Sequence, residues 1–184
     1  KGTIDLQWLP DTVERVSFEG VGLTGTLDAA SLPVKMTYYW STINFIGTLD
    51  LSELPPKMEE FYLSGTKMTG SLDLTALPST LRTLYVKSSA FTGTVDLTKL
   101  PSCLMVLSLQ KNTLSGQIDL TALPACMTQL YLGNNNFEGC TDFSQLPKLQ
   151  ILSVANTRLS GEISSFEGRS LRLVGSQVKD MRKK

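Results

Sequence analysis

The chain has no histidine in its 184 residues and only three cysteines, Cys103, Cys126 and Cys140. Without histidine there is no imidazole general base, no Ser–His or Cys–His nucleophile and no imidazole metal ligand. Charge is scarce: 18% of residues are Asp, Glu, Lys or Arg, and 17 basic residues cancel 17 acidic ones. The sequence has no coherent basic groove for nucleic acid. No apolar run approaches the ~20 residues of a bilayer-spanning helix. The glycines are spread out rather than clustered into a phosphate-cradling loop. Glu59 and Glu60 are adjacent acids, but neighbours on a strand face opposite ways and make a poor two-carboxylate pair. Neither catalysis nor a cofactor nor a metal site is expected.

What the chain does have is a period. Leu-Pro pairs begin at Leu9, Leu32, Leu54, Leu77, Leu100, Leu123 and Leu146, in steps of 23, 22, 23, 23, 23 and 23 residues. Gly2, Gly25, Gly47, Gly70, Gly93, Gly116, Gly139 and Gly161 keep the same cadence. Two residue types of different physics holding one register identify a repeat architecture. No single unit can bury its apolar face, so stability must come from stacking. Residues 1–184 are expected to form one elongated domain of about eight coils. The sequence opens in the middle of a unit at Lys1-Gly2, which points to a fragment or a processed chain.

One unit reads Leu104, Leu107, Leu109, Asn112, Leu114, Gly116, Ile118, Leu120, Leu123. The alternation at Leu107-Ser108-Leu109 is that of a strand. Equivalent strands, centred near Ser17, Tyr39, Tyr62, Tyr85, Ser108, Tyr131, Ser153 and Arg172, should pair in parallel, one per coil. The glycine marks a turn of positive φ or a close approach. A short second strand follows it, and Leu-Pro closes the coil, because proline cannot continue a helix. So short a coil leaves room only for turns or 3₁₀ pieces on the side opposite the main sheet. The missing residue of the 22-residue step is placed near Tyr38.

The pattern LxxLxLxxNxLxGxL, clearest from Leu104 to Ile118, resembles the leucine-rich repeat family, and the resemblance runs over essentially the whole chain. It is closest to the plant-type subclass, with GTLDLTxLP in place of GxIP, a variant similar to repeats of kinetoplastid and related protists. The resemblance implies a right-handed solenoid of the α/β class, here mostly β, with a concave parallel sheet where ligands commonly sit. It also implies an asparagine at the bend, yet only Asn112 and Asn135 supply it; the others are Val21, Ile43, Thr66, Ser89, Thr157 and Ser176. Val21 and Ile43 cannot bond the backbone there, so water or an altered turn must. Secreted members often carry clustered cysteines in terminal caps. Neither end of this sequence has them, which weighs toward a cytoplasmic setting and reduced thiols. Cys103 and Cys126 nevertheless share a position in adjacent coils, ~5 Å apart, within disulfide range.

Asp5, Asp28, Asp50, Asp73, Asp96, Asp119 and Asp142 also share one position. Stacked carboxylates repel unless each has a local partner, and an aspartate before a turn can accept free backbone N–H groups. Calcium bridging is the alternative, although one carboxylate per coil falls short of the six or more oxygens that calcium takes. The six basic residues from Arg169 on (Arg169, Arg172, Lys179, Arg182, Lys183 and Lys184) read as a solvated end cap, or else as a basic tail for acidic partners.

Four of the five tyrosines, Tyr39, Tyr62, Tyr85 and Tyr131, fall at the outward centre of the strand pattern, a stripe about 20 Å long. Ser108 shares that column, and Arg15, Glu60, Lys87, Met105, Val106, Gln110 and Gln129 surround it. Met105, Val106 and Ile151 add apolar character. Tyr38 and Trp40 are expected to point into the core. Tyrosine is a good strand former in any case, but it is also enriched at binding hot spots. The expected function is a monomeric, non-catalytic interaction module whose tyrosine stripe takes a protein or peptide. Structural or adhesive roles, glycan binding and calcium-dependent reception are the alternatives.

Overall fold

The computed structural model describes residues 2–4, 6–19 and 22–182, so Lys1, Asp5, Gly20, Val21, Lys183 and Lys184 lie outside the described residues. Eight strands run side by side in one parallel sheet. They are Arg15–Phe18, Tyr38–Ser41, Glu60–Ser64, Thr83–Lys87, Val106–Ser108, Gln129–Tyr131, Ile151–Ser153 and Ser170–Arg172. A second face carries the short strands that follow, in a three-stranded and a six-stranded parallel group. The chain is thus a parallel β-solenoid of about eight coils, as its period requires. Among the described residues helix is confined to three 3₁₀ turns, Leu6–Trp8, Ala29–Ser31 and Leu51–Glu53.

The core runs as columns along the solenoid axis. Tyr39, Phe61, Leu84, Leu107, Leu130 and Leu152 form one, with every side chain fully buried. Leu63, Val86, Leu109, Leu132 and Val154 form a second, and Phe45, Met68, Phe91, Leu114, Phe137 and Leu159 close the core from the other face. Each fully buried leucine contributes about 1.5–3 kcal/mol, but only with a neighbouring coil above and below it.

Each coil turns through a hydrogen bond from three residues beyond the proline to the proline carbonyl, as from Leu104 to Pro101 at 2.9 Å. The seventh coil departs from this: Leu149 N–H reaches Pro147 at 2.6 Å, one residue early. The second coil is also short, but not where the Leu-Pro cadence suggested. Trp40 pairs with both Ser17 and Tyr62, so the strand at Tyr38 is in register and the loss falls between Trp40 and Gly47. There the bend tightens: Phe45 N–H bonds the Ile43 carbonyl at 2.8 Å, and Ser41 Oγ accepts the Ile43 N–H at 3.1 Å. The altered turn does the work that an asparagine does elsewhere.

In the regular coils Asn112 donates to the carbonyls of Val86 and Leu109, both at 2.9 Å, and accepts from Phe91 N–H at 3.3 Å. Asn135 repeats the pattern on Leu109, Leu132 and Leu114. Thr157 and Ser176 manage a partial version, each donating to a single carbonyl at 2.7 Å.

The glycine column has a steric cause as well as positive φ. At Gly70, Gly93, Gly116 and Gly139 the residue after the preceding coil's glycine leans against the glycine, so a Cβ on Gly116 (φ 82°) would lie 2.7 Å from Thr94 Cγ2.

Candidate functional site

The outer face of the eight-stranded sheet carries three columns of side chains. The central column, fixed by the strand register, is Ser17, Trp40, Tyr62, Tyr85, Ser108, Tyr131, Ser153 and Arg172. This corrects the sequence expectation at one rung. Tyr39 is 0% exposed and sits in the core column beside Phe61, whereas its neighbours Tyr38 and Trp40, expected inside, are half-buried on the outer face. Placing the missing residue before the strand instead of after it shifts the register by one, and a one-residue slip reverses every side chain.

The rings form a ladder. Tyr62 and Tyr85 stack with centroids 5.1 Å apart and planes within 22°. Tyr38 contacts Tyr62 at 5.9 Å, and Tyr85 reaches Tyr131 at 6.4 Å. The last two come from strands either side of Ser108 and meet over it. Ser108 is therefore fully buried, and its hydroxyl has no hydrogen-bond partner, so it is a floor beneath the stripe and not an exposed contact. The Arg15 guanidinium lies 4.2 Å from the centre of the Tyr38 ring, and the Lys87 ammonium 5.9 Å from that of Tyr85.

Polar tethers hold the ring positions. Tyr62 donates to Glu60 Oε2 at 2.8 Å, and Tyr131 to Gln129 Oε1 at 2.9 Å. Burial, followed by the hydrogen bond given to Glu60, pushes the Tyr62 phenol up to about 12. Burial also raises Tyr85, with the neighbouring Tyr131 adding to it. Val106 and Ile151 lie half-buried on this face, Gln110 follows Ser108 at its edge, and Met105 is 39% exposed just before the Val106 strand.

Outside the stripe the aspartate column is satisfied locally. Asp50, Asp73, Asp96 and Asp119 each accept a backbone N–H two residues on, together with the hydroxyl of that same residue. These bonds, the hydroxyl first, hold all four carboxyls below the usual range. Among the described residues no cluster of three or more potential metal ligands occurs. Cys103 and Cys126 carry free thiols. Each donates to a carbonyl of the preceding coil, Ser79 and Ser102 respectively, both at 3.0 Å, as Thr80 does one coil earlier to Pro56.

The second face carries a feature that the sequence reading passed over. Thr24, Thr69 and Thr92 stand exposed one residue before the repeat glycine, and Thr26, Thr48, Ser71 and Thr94 one residue after it. The signal was legible in Thr24-Gly25-Thr26, Thr69-Gly70-Ser71 and Thr92-Gly93-Thr94. Ile46, 51% exposed, interrupts the first column.

No family model matches the chain, and no curated protein matches it in sequence. Among solved structures it is similar to a plant ice-binding protein, with 18% identity and a TM-score of 0.54, over 97% of this chain and 77% of that one. It also aligns with the plant peptide hormone receptor RGFR1, solved in complex with RGF2. That match has 18% identity and a TM-score of 0.41, over 96% of this chain and 42% of the receptor. The first of these likenesses is one of fold.

Proposed function

We propose that the chain is a non-catalytic interaction module that receives a protein or peptide on the outer face of its eight-stranded sheet. The observation that supports this is the solvent-facing aromatic ladder of Trp40, Tyr62, Tyr85 and Tyr131, with Tyr38 beside it. Tryptophan and tyrosine bring large apolar area at low conformational cost and dominate binding hot spots. Arg15, Glu60, Lys87 and Gln129 surround the ladder and set the partner's register.

The test uses the chain as a bait alongside a variant with Trp40→Ala, Tyr62→Ala, Tyr85→Ala and Tyr131→Ala that keeps a cooperative melt. A partner retained by the chain and lost from the variant supports the reading. Equal retention by both overturns it.

A second reading, ice binding, has its own observation. The threonine and serine columns on the other face repeat at one coil spacing, about 4.8 Å, on a rigid scaffold. Their methyl and hydroxyl groups could order water in a lattice. Inhibition of ice recrystallisation that is lost with Thr69→Lys and Thr92→Lys, and kept in the aromatic variant, would establish this reading instead.

A further inference from the structure

We infer that Cys103 and Cys126 together form a two-coordinate site for a soft, thiophilic cation, of which Cu(I) is the biological representative. The site lies in the turns that follow Leu100-Pro101 and Leu123-Pro124 and does not depend on the aromatic face.

The argument starts from equivalence. Cys103 Sγ donates to the carbonyls of Ser79 at 3.0 Å and Leu81 at 3.2 Å. Cys126 Sγ donates to those of Ser102 at 3.0 Å and Leu104 at 3.4 Å, the same two positions one coil on. Thr80 Oγ1 is seated likewise one coil earlier, on Pro56 and Met58 at 3.0 and 2.7 Å. Each side chain is thus held between the two carbonyls that flank its counterpart in the preceding coil. The two sulfurs are therefore displaced from one another by one coil, about 4.8 Å.

That separation selects the chemistry. A disulfide needs its sulfurs about 2.05 Å apart, yet both thiols lean toward the preceding coil in the same sense and do not converge. A thiolate–metal bond is about 2.3 Å long, and two in line span about 4.6 Å, close to the coil spacing. Among the described residues no third cysteine, aspartate or glutamate completes a cluster. Zinc, which takes four ligands, and calcium, which takes six or more oxygens, are not served. Cu(I) prefers thiolates, and two in line suffice for it. Loading breaks two S–H bonds, sends both protons to solvent and forms two S–Cu bonds, with no change of oxidation state.

The site is open to the ion. Cys103 is half-buried and Cys126 exposed. Earlier coils place two residues between the proline and the next core residue, whereas only Lys148 separates Pro147 from Leu149. The short seventh coil thus has no equivalent side chain to follow Cys126 in the column.

The experiment adds Cu(I), as its acetonitrile complex, to the reduced full chain without oxygen and lets bicinchoninate compete for the ion. One ion per chain should be retained, with two protons released, two Cu–S bonds by X-ray absorption and a raised melting temperature. Cys103→Ser and Cys126→Ser should each weaken retention by at least about a hundredfold, since losing even a supporting group around a metal costs about 10–100-fold. A serine hydroxyl can take the seat that Thr80 Oγ1 takes, so both variants should melt like the parent chain without metal. Cys140→Ser should leave retention unchanged. Undiminished retention in either of the first two variants, loss of retention on Cys140→Ser, or retention only in dimers bridged between chains overturns the inference. So does closure of a Cys103–Cys126 disulfide by oxidised glutathione with no Cu(I) retained by the reduced chain, which assigns the pair to redox chemistry instead.

Discussion

Tyr39 stacks on Phe61 inside the solenoid, ring centroids 5.0 Å apart and planes within 15°, while Trp40, the next residue, stands on the outer face beside Tyr62. Burial drives the Tyr39 phenol far above its ordinary range, and the nearby Ser41 hydroxyl offsets little of that. Its hydroxyl has no hydrogen-bond partner. Two adjacent aromatics therefore have opposite roles. Tyr39→Ala should cost about 3–5 kcal/mol, as for other buried aromatics, and Tyr39→Phe should be neutral or stabilising. Trp40→Ala should cost only about 1 kcal/mol while removing partner binding. Urea unfolding of the three variants checks this; a larger loss from Trp40→Ala than from Tyr39→Ala would reverse the assignment.

Most of the fold was legible because the repeat states it many times over. Leu-Pro and glycine set the coil, and the number of strands followed. The exception shows what a period cannot encode. Leu32 to Leu54 spans one residue too few, but the spacing does not say where in the coil the residue is missing. Placed before the strand, the gap sends Tyr39 outward; placed in the bend after Trp40, it sends Tyr39 inward. Four tyrosines in apparent register, Tyr39, Tyr62, Tyr85 and Tyr131, favoured the first choice. The core decides otherwise, because Tyr39 fills the column held by Phe61 and Leu84. Ser108 could not be read from sequence either, since its burial comes from two rings on neighbouring strands.

Thr141 occupies a column otherwise filled by buried aliphatics, Leu27, Leu49, Leu72, Val95, Ile118 and Ile163, and its hydroxyl is buried without a partner. Valine has the same shape without the unmet hydrogen bond. Thr141→Val should raise stability by roughly 1 kcal/mol, seen as a higher urea midpoint at unchanged slope. A lower midpoint would mean that the hydroxyl is satisfied in solution.

The aspartate column makes the solenoid acid-sensitive. Asp50, Asp73, Asp96, Asp119 and Asp142 all have lowered carboxyl pKa values; the serine or threonine two residues on is the cause. A depressed folded-state pKa gives stability that is fully present above the unfolded carboxyl value of ~3.9 and is lost as pH falls through the lower folded values. The melting temperature should hold level down to about pH 4.5 and then drop. Replacing Thr75, Thr98 and Thr121 by valine removes the largest cause and should flatten that drop. An unchanged acid profile in this variant would assign acid sensitivity to other groups.

Asn112 and Asn135 both donate to one carbonyl, that of Leu109, each at 2.9 Å. That oxygen has two lone pairs and both are used, so the two asparagines form a continuous tie across neighbouring coils. Losing either side chain leaves buried backbone groups unpaired: for Asn112, the Val86 carbonyl and the Phe91 N–H. Asn112→Ala should then cost about 2–4 kcal/mol, more than one ordinary hydrogen bond. The double variant with Asn135→Ala should cost less than the sum, because the Leu109 carbonyl is counted in both single losses. Ile43→Asn tests the same logic from the other direction. The shortened turn already bonds the Ile43 N–H to Ser41 Oγ, and Ile43 itself is fully buried. Introducing an amide there should destabilise the chain by about 2 kcal/mol or more, even though it restores the repeat's own letter. A gain in stability would show that the second coil can relax to the standard bend.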